Sequence, residues 1–293
     1  MLRAFLLMLA AGGLALAVAA RPSALLHRGR SSPGDLEVGG ELAGLPAGST
    51  RYIRYEDLLR LPQETYTVSD DSNLPHDAKI SGVALTTLVR LLAQSPDSVL
   101  IVAICYDRYR TNYPRDYLAA HRPLLVLRIN GEARDHWPSS EHGGPLGPYL
   151  ISHPFFKPAF KVLSHEDEPQ IPFGVTQIEF RSQSAVFGAI RPRGNWPPDS
   201  AVEEGYAIAR QDCFRCHNMG DEGGTMAGRS WLQLASIARE NGSRFRQIIH
   251  DPASVTAGAK MPAHSDYDDA TLNALTAYFK TFSRASPVSR RNR

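Results

Sequence analysis

The stretch Cys213-Phe214-Arg215-Cys216-His217 decides how the C-terminal part of this chain is interpreted. It reads C-x-x-C-H, the attachment motif of a c-type haem. Two thiols on one helical turn can each form a thioether with a vinyl group of the same porphyrin, and the next imidazole then points at the iron. The motif therefore predicts one covalent haem c, bound by Cys213 and Cys216, with His217 as an axial ligand.

A second axial ligand is expected downstream, on a loop that folds over the other face of the porphyrin. Met261 fits this requirement, because a thioether favours ferrous iron and the following Pro262 fixes the local backbone. Met219 and Met226 are the alternatives. Met219 is too close to His217 in the sequence to reach the opposite face of the porphyrin easily. Met226 sits in a glycine-rich loop that we expect to pack against the haem edge. We therefore predict His217 and Met261 as the two ligands of the haem iron.

A C-x-x-C pair is also found in redox dithiols and as half of a zinc site. A zinc site needs a second pair of Cys or His residues, and no cysteine follows Cys216. A thioredoxin-like motif belongs in a βαβ setting, whereas this one lies between an amphipathic segment, Ala201 to Gln211, and a glycine-rich loop. The haem interpretation is therefore favoured over both.

Residues 199–283 resemble a class I cytochrome c domain. The resemblance rests on Glu204-Gly205-Tyr206 in the first helix, the C-x-x-C-H motif, the Met261-Pro262 loop and Ala277-Tyr278-Phe279 in the last helix. It implies an all-α fold whose first and last helices cross, with Gly205 at the point of closest packing. It also implies one haem that exchanges electrons with a redox protein partner.

Residues 50–190 predict an α+β domain, because strands and short helices alternate irregularly among many prolines. Ile80-Ser81-Gly82-Val83, Asp107-Arg108-Tyr109, Asn130-Gly131 and His142-Gly143-Gly144-Pro145 follow one another in an order that resembles the sulfite-oxidase-type molybdopterin-binding domain. In that family the last loop approaches the pterin, which singles out His142 as a residue near a ligand.

The chain departs from that family where its enzymes bind molybdenum through a cysteine. The corresponding region, residues 66–73, contains no cysteine, and Cys105 lies in a different segment. We interpret the domain as a relative that kept the fold and lost the metal, with molybdopterin as the alternative cofactor. Cys105 is interpreted as a small buried side chain at the end of an apolar strand. The alternative is a molybdenum thiolate or a reactive thiol.

Composition and the N-terminus restrict the remaining functions. The net charge of +2 over 293 residues argues against nucleic-acid binding. Residues 1–20 combine an early arginine with an apolar run that ends in small residues, which predicts a signal peptide and a periplasmic protein. The alternative is attachment to the membrane through an uncleaved signal segment. Residues 21–49 are expected to be a flexible leader, residues 191–198 a linker and residues 284–293 a basic tail.

Three functions remain, of which the third is a non-redox binding module whose haem has a sensory or structural role. In the first, an exported c-type cytochrome passes electrons through its single haem to or from a redox partner, and the N-terminal domain is a docking module. In the second, a molybdopterin centre oxidises or reduces a small substrate and the fused haem relays the electrons. The missing cysteine favours the first function, in which no catalytic residue is assigned.

Overall fold

The computed structural model describes residues 22–69, 71–74, 77–95, 99–140, 144–154 and 170–282. The predicted signal peptide, His142 and the predicted basic tail lie outside these ranges. The chain has two parts, which we call the sheet domain (residues 22–190) and the helical domain (residues 199–282).

The bounds of the elements are as follows. The strands are β1 (Leu36–Gly40), β2 (Arg51–Ile53), β3 (Glu64–Val68), β4 (Ala78–Ala84), β5 (Val99–Cys105), β6 (Arg110–Tyr113), β7 (Leu124–Ile129), β8 (Glu132–Ala133), β9 (Tyr149–Ser152), β10 (Phe173–Ser182), β11 (Asn218–Met219) and β12 (Glu222–Gly223). The helices are α1 (Pro22–Leu25), α2 (Tyr55–Leu59), α3 (Leu85–Leu92), α4 (Arg115–His121), α5 (Gln183–Gly188), α6 (Ala201–Gln211), α7 (Trp231–Glu240), α8 (Gly242–His250), α9 (Pro252–Val255) and α10 (Asp269–Lys280). Among the described residues, no helix is long and apolar enough to cross a membrane.

Strands β1 to β10 form one sheet of 10 strands. β1 and β10 pair in parallel, and the other pairs in this sheet are antiparallel. β10 lies at its centre, with β5 on one side and both β1 and β9 on the other. The mostly antiparallel pairing fits an α+β domain rather than a doubly wound parallel sheet.

β5 is buried on both faces, which explains its unbroken run of apolar residues. Ile101 and Cys105 face the core of the sheet domain. Leu100 and Val102 point to the opposite face and pack in one cluster with side chains of the helical domain. A strand covered on both sides reads as a continuous hydrophobic run instead of an alternation. A shared apolar core therefore joins the two domains.

Residues 21–49, predicted to be a flexible leader, contain β1 instead. Leu36 and Val38 are fully buried, and β1 pairs along β10. Gly40 ends the strand at a φ of +80°, and the carbonyl group of Phe180 occupies the space that a side chain at this position would need. The sheet domain therefore begins well before residue 50. Gly40, Gly44 and Gly48 have positive φ angles, which are typical of glycine in turns.

The helical domain is built around the crossing of α6 and α10. The hydroxyl of Ser200 accepts a hydrogen bond from the backbone N–H of Glu203 and caps α6. Gly205 lies at the crossing, where a Cβ atom would overlap the carbonyl of Ala274 and come within 2.7 Å of the Tyr278 Cβ. The predicted close-packing role of Gly205 is confirmed.

The helical domain is not purely helical. β11 and β12 form a two-stranded hairpin directly after the haem motif. Gly220 makes the connecting turn at a φ of +63°, a conformation that favours glycine. The expectation of an all-α domain is corrected at this hairpin, whose strands of 2 residues each are too short to leave a periodic sequence signal.

The predicted linker, residues 191–198, contains no helix or strand, yet it packs against the helical domain. The guanidinium of Arg191 lies 5.0 Å from the ring centre of Tyr206, and that of Arg193 lies 5.3 Å from the ring centre of Phe282. Two cation–π contacts therefore hold this segment on the helices that it precedes.

Candidate functional site

The haem motif forms a tight turn at the end of α6. Cys213–Arg215 make one turn of 3₁₀ helix. The backbone N–H groups of Cys216 and His217 both donate to the carbonyl of Cys213, at 3.2 and 3.0 Å. This turn directs the side chains of Cys213, Cys216 and His217 into one cavity, whose walls include all three.

The inner side of the turn is anchored in the core. Phe214 is fully buried, and its ring centre lies 5.4 Å from that of Trp231 in an edge-to-face contact. At Gly224 a Cβ atom would overlap the carbonyl of Arg215, and at Gly223 it would overlap the ring of Phe214. The glycine-rich loop was expected to pack against the haem edge. Gly223 and Gly224 also support the motif, because a side chain at either position would displace it. Met226, from the same loop, borders the larger cavity.

His217 is held in the orientation and protonation state of a metal ligand. Its Nδ1–H donates to the carbonyl of Arg229 at 2.6 Å. Burial is the largest cause that lowers the pKa of His217, so the imidazole is neutral at neutral pH. With the proton on Nδ1, the Nε2 lone pair is the one offered to a metal.

The two cysteines of the motif are unlinked to each other in this structure. Burial raises the pKa of the Cys216 thiol to about 11 and also raises that of Cys213. A redox dithiol of the thioredoxin type depends on a lowered thiol pKa. The environment of this pair is therefore poorly suited to dithiol exchange.

Two adjoining cavities open beside the motif. Their volumes are about 730 and about 120 Å³, and the larger one is within the usual range of cofactor sites, roughly 300–1,000 Å³. The walls that they share consist of Cys216, His217, Ile248, Met261 and Pro262. The structure therefore brings the predicted ligand pair, His217 and Met261, to one space. The donor set fits a haem c, with two thiols, one imidazole and one thioether around an apolar cavity.

The three candidate methionines differ in their positions. Met261 is partly buried, packs against the helical core and borders both cavities. Met226 borders the larger cavity but is 40% exposed. Met219 packs against the helical core in the β11–β12 hairpin. This arrangement favours Met261, and its assignment as a ligand stays a prediction.

Three groups at the site were not predicted. The carbonyl of Arg229 orients His217, and Asp107 and Tyr109 of the sheet domain border the larger and the smaller cavity. A backbone carbonyl has no sequence signature. The approach of Asp107 and Tyr109 depends on how the two domains pack, which no local pattern encodes.

In the sheet domain, the region of the expected cysteine holds a closed hydrogen-bond network. Asp71 is buried and accepts hydrogen bonds from the backbone N–H of Asn73, at 2.9 Å, and from the hydroxyl of Ser152. The amide of Asn73 also donates to the carbonyl of Ile171 at 2.8 Å. In the described parts of the chain, no group of three or more His, Cys, Asp or Glu side chains is placed to hold a metal ion.

Cys105 ends β5 inside the core of the sheet domain, with 4% of its surface exposed. Burial, helped by the nearby carboxylate of Asp107, raises the pKa of its thiol far above the ordinary value. A thiolate ligand or nucleophile needs the opposite shift. The position therefore favours the interpretation of Cys105 as a small buried side chain.

Comparisons with known proteins bear on the two domains unequally. The family model described as "Cytochrome C oxidase, cbb3-type, subunit III" matches residues 200–279. The C-terminal part of the chain is a cytochrome c domain, which implies a haem c and electron transfer to a redox partner. A search of curated proteins finds no match to the sequence.

A solved structure shows a likeness to the N-terminal part. The crystal structure of the sulfane dehydrogenase SoxCD from Paracoccus pantotrophus is similar over 54% of this chain and 41% of that chain, at 16% sequence identity and a TM-score of 0.32. The chain thus spans less than half the length of that SoxCD chain.

Proposed function

We propose that this chain is an exported, periplasmic c-type cytochrome that carries one covalent haem and exchanges single electrons with a redox protein partner. Cys213 and Cys216 form the two thioether bonds, and His217 and Met261 are the axial ligands. One observation carries the proposal: the four side chains border one pair of joined cavities, and the carbonyl of Arg229 orients His217 from behind.

Each of these residues has a distinct task. A bound haem supplies a one-electron iron couple. His217, neutral and fixed by its Nδ1–H bond, offers Nε2 as a ligand. The thioether of Met261 would be the second protein ligand of the iron and would favour the reduced state. Because the protein fills both positions, the site transfers electrons and keeps oxygen and small substrates away from the iron.

The sheet domain is proposed to be a docking module with the sulfite-oxidase-like fold. The order of the Ile80-Ser81-Gly82-Val83, Asp107-Arg108-Tyr109 and Asn130-Gly131 segments supports this assignment. The Asp71 network, in the region where that family has its cysteine, supports a structural role instead of a molybdenum site.

Covalent attachment is tested by replacing the cysteines in the full exported chain. The parent and the matched control Cys105→Ala, which changes the third cysteine, should keep their haem after denaturation and extraction with acidified organic solvent. The Cys213→Ala/Cys216→Ala variant should lose it. Haem that is extracted from the parent chain, or that stays with the double variant, would contradict the proposal.

A further inference from the structure

A turn of the sheet domain lies against the haem cavity. Residues 106–109 connect β5 to β6, and within them Asp107 borders the larger cavity and Tyr109 the smaller one. The turn has its own internal support. The backbone N–H of Tyr109 donates to the Asp107 carboxylate at 3.0 Å, and that of Arg108 donates to the Cys105 carbonyl at 2.9 Å. The sheet domain therefore presents a preformed surface to the cavity.

Hydrogen bonds join this turn to the haem motif and to the loop behind it. Arg215, which lies between the two haem cysteines, donates from its guanidinium to the Tyr109 hydroxyl at 3.3 Å. The backbone N–H of Thr225 donates to the carbonyl of Arg108 at 3.2 Å. Arg110 donates to the carbonyl of Asp221, also at 3.2 Å. The contact between the domains is thus directed at the residues that surround the haem.

The position of Arg215 is set from two sides. Its guanidinium lies 3.3 Å from the carboxylate of Asp212, and its Nε–H donates to the carbonyl of Gln211, the last residue of α6. Tyr109 supplies the contact from the other domain. The side chain of Arg215 is mostly buried, with 15% exposed, so its charge is weakly screened by solvent.

We propose that Tyr109 is a positioning residue of the haem site, through which the sheet domain sets the redox potential. This inference rests on the proposed function. Tyr109 holds the guanidinium of Arg215 at the wall of the smaller cavity, which would receive part of the haem, and covers this cavity against water. Reduction removes one positive charge from the iron, so a fixed cation nearby favours the reduced state, and a low local dielectric strengthens the effect. Asp107 acts with the opposite sign, because this acidic residue borders the adjoining larger cavity.

The test is a potentiometric titration of the full, haem-loaded chain. In Tyr109→Ala, water should enter the smaller cavity, and Arg215 should lose its hydrogen bond to the hydroxyl of residue 109. The equilibrium constant for reduction should fall about tenfold, which corresponds to about 59 mV for one electron. Tyr109→Phe keeps the ring and removes the hydrogen bond, so the potential should fall by a smaller amount. Asp107→Asn retains an acceptor for the N–H of Tyr109 and should raise the potential.

Tyr106→Ala is the matched control, because Tyr106 belongs to the same turn, is 53% exposed and is not among the residues that border the two cavities. The redox potential of the Tyr106→Ala variant should equal that of the parent protein. Tyr109→Ala and Tyr109→Phe variants that both keep the parent potential would overturn the inference, as would equal shifts in Tyr106→Ala. If Tyr109→Ala fails to fold, the redox potentials of Tyr109→Phe and Asp107→Asn test the inference. A parent chain without covalent haem would instead contradict the proposed function.

Discussion

The helical domain and the sheet domain use their buried polar groups in different ways. In the helical domain, one hydrogen bond orients His217, and the imidazole borders a cavity. In the sheet domain, the buried carboxylate of Asp71 accepts hydrogen bonds from Asn73 and Ser152. A binding site keeps a donor atom for its ligand, whereas a structural network satisfies its members within the protein. This difference supports the proposal that the redox chemistry belongs to the helical domain.

The largest effect is expected from the axial methionine. Met261→Ala should abolish the absorption band of the methionine–iron bond and lower the midpoint potential by roughly 0.1–0.3 V, part of the ~0.8 V range that axial ligands span. Absorption spectra and potentiometric titration measure both. Met226→Ala, which changes the exposed methionine of the same cavity, is the control and should leave the band intact. A band that survives in Met261→Ala and disappears in Met226→Ala would assign the ligand to Met226.

The second prediction concerns the apolar core that the two domains share, and it compares the two faces of β5. Leu100→Ala and Ile101→Ala should each lower the free energy of unfolding by about 2–5 kcal/mol, because both side chains are fully buried. Leu100 faces the helical domain, so its loss should also lower the temperature at which the haem absorbance changes. Ile101 faces the sheet core, so its loss should act first on the far-UV circular dichroism. Identical responses of the two probes in both variants would show that the domains unfold as one unit.

The helix crossing provides a smaller effect within the helical domain. Gly205→Ala should lower the free energy of unfolding by about 1–3 kcal/mol, because the new Cβ atom overlaps the backbone of Ala274 in α10. Gly188→Ala in α5 is the matched control, since nothing lies within 4 Å of its added methyl group. The control should be neutral or slightly stabilising. Thermal unfolding of the two variants measures the difference, and equal stabilities would contradict the close packing of α6 on α10.

The smallest effect near neutral pH concerns the acid sensitivity of the sheet domain. Burial, with His121 as the second cause, lowers the pKa of His153 from 6.5 to about 3. Between these two pH values the unfolded chain binds a proton at His153 that the folded chain does not bind. The contribution of neutral His153 to the free energy of unfolding is therefore fully present above pH 6.5 and is lost as the pH decreases toward 3. The slope is at most about 1.4 kcal/mol per pH unit for one proton.

His153→Gln tests this dependence, because the variant cannot titrate and its amide can still hydrogen-bond the hydroxyl of Tyr117, which lies 3.0 Å from Nε2 in the parent. Unfolding free energies measured across the same pH window should decline less steeply in the variant. Parallel pH profiles for parent and variant would exclude His153 as the source of the acid sensitivity.

The sequence predicted elements whose apolar pattern is long or continuous. α6 spans the amphipathic segment that the sequence indicated, and Cys105 ends the apolar strand β5, because each element buries a face large enough to leave a clear pattern. β1 was missed because glycines, serines and arginines surround a strand of only 5 residues. Its place in the sheet comes from pairing with β10, a contact between distant parts of the chain.

The candidate site shows the same division between local and distant information. Cys213, Cys216 and His217 were predicted because their chemistry depends on a continuous motif, and Met261 because a proline follows it in a recognisable loop. The contribution of Tyr109 was not predicted, since more than one hundred residues separate it from Arg215. Contacts of this kind follow from the packing of β5 against the helices.

The central claim is that one haem in the helical domain is the redox centre of the chain. It is tested most directly by the iron, molybdenum and covalent haem content of the full protein, purified from its exported fraction. The account predicts one iron and one covalently bound haem per chain, with no molybdenum. A chain that contains molybdenum in equal amount to iron, or iron without covalent haem, would contradict it.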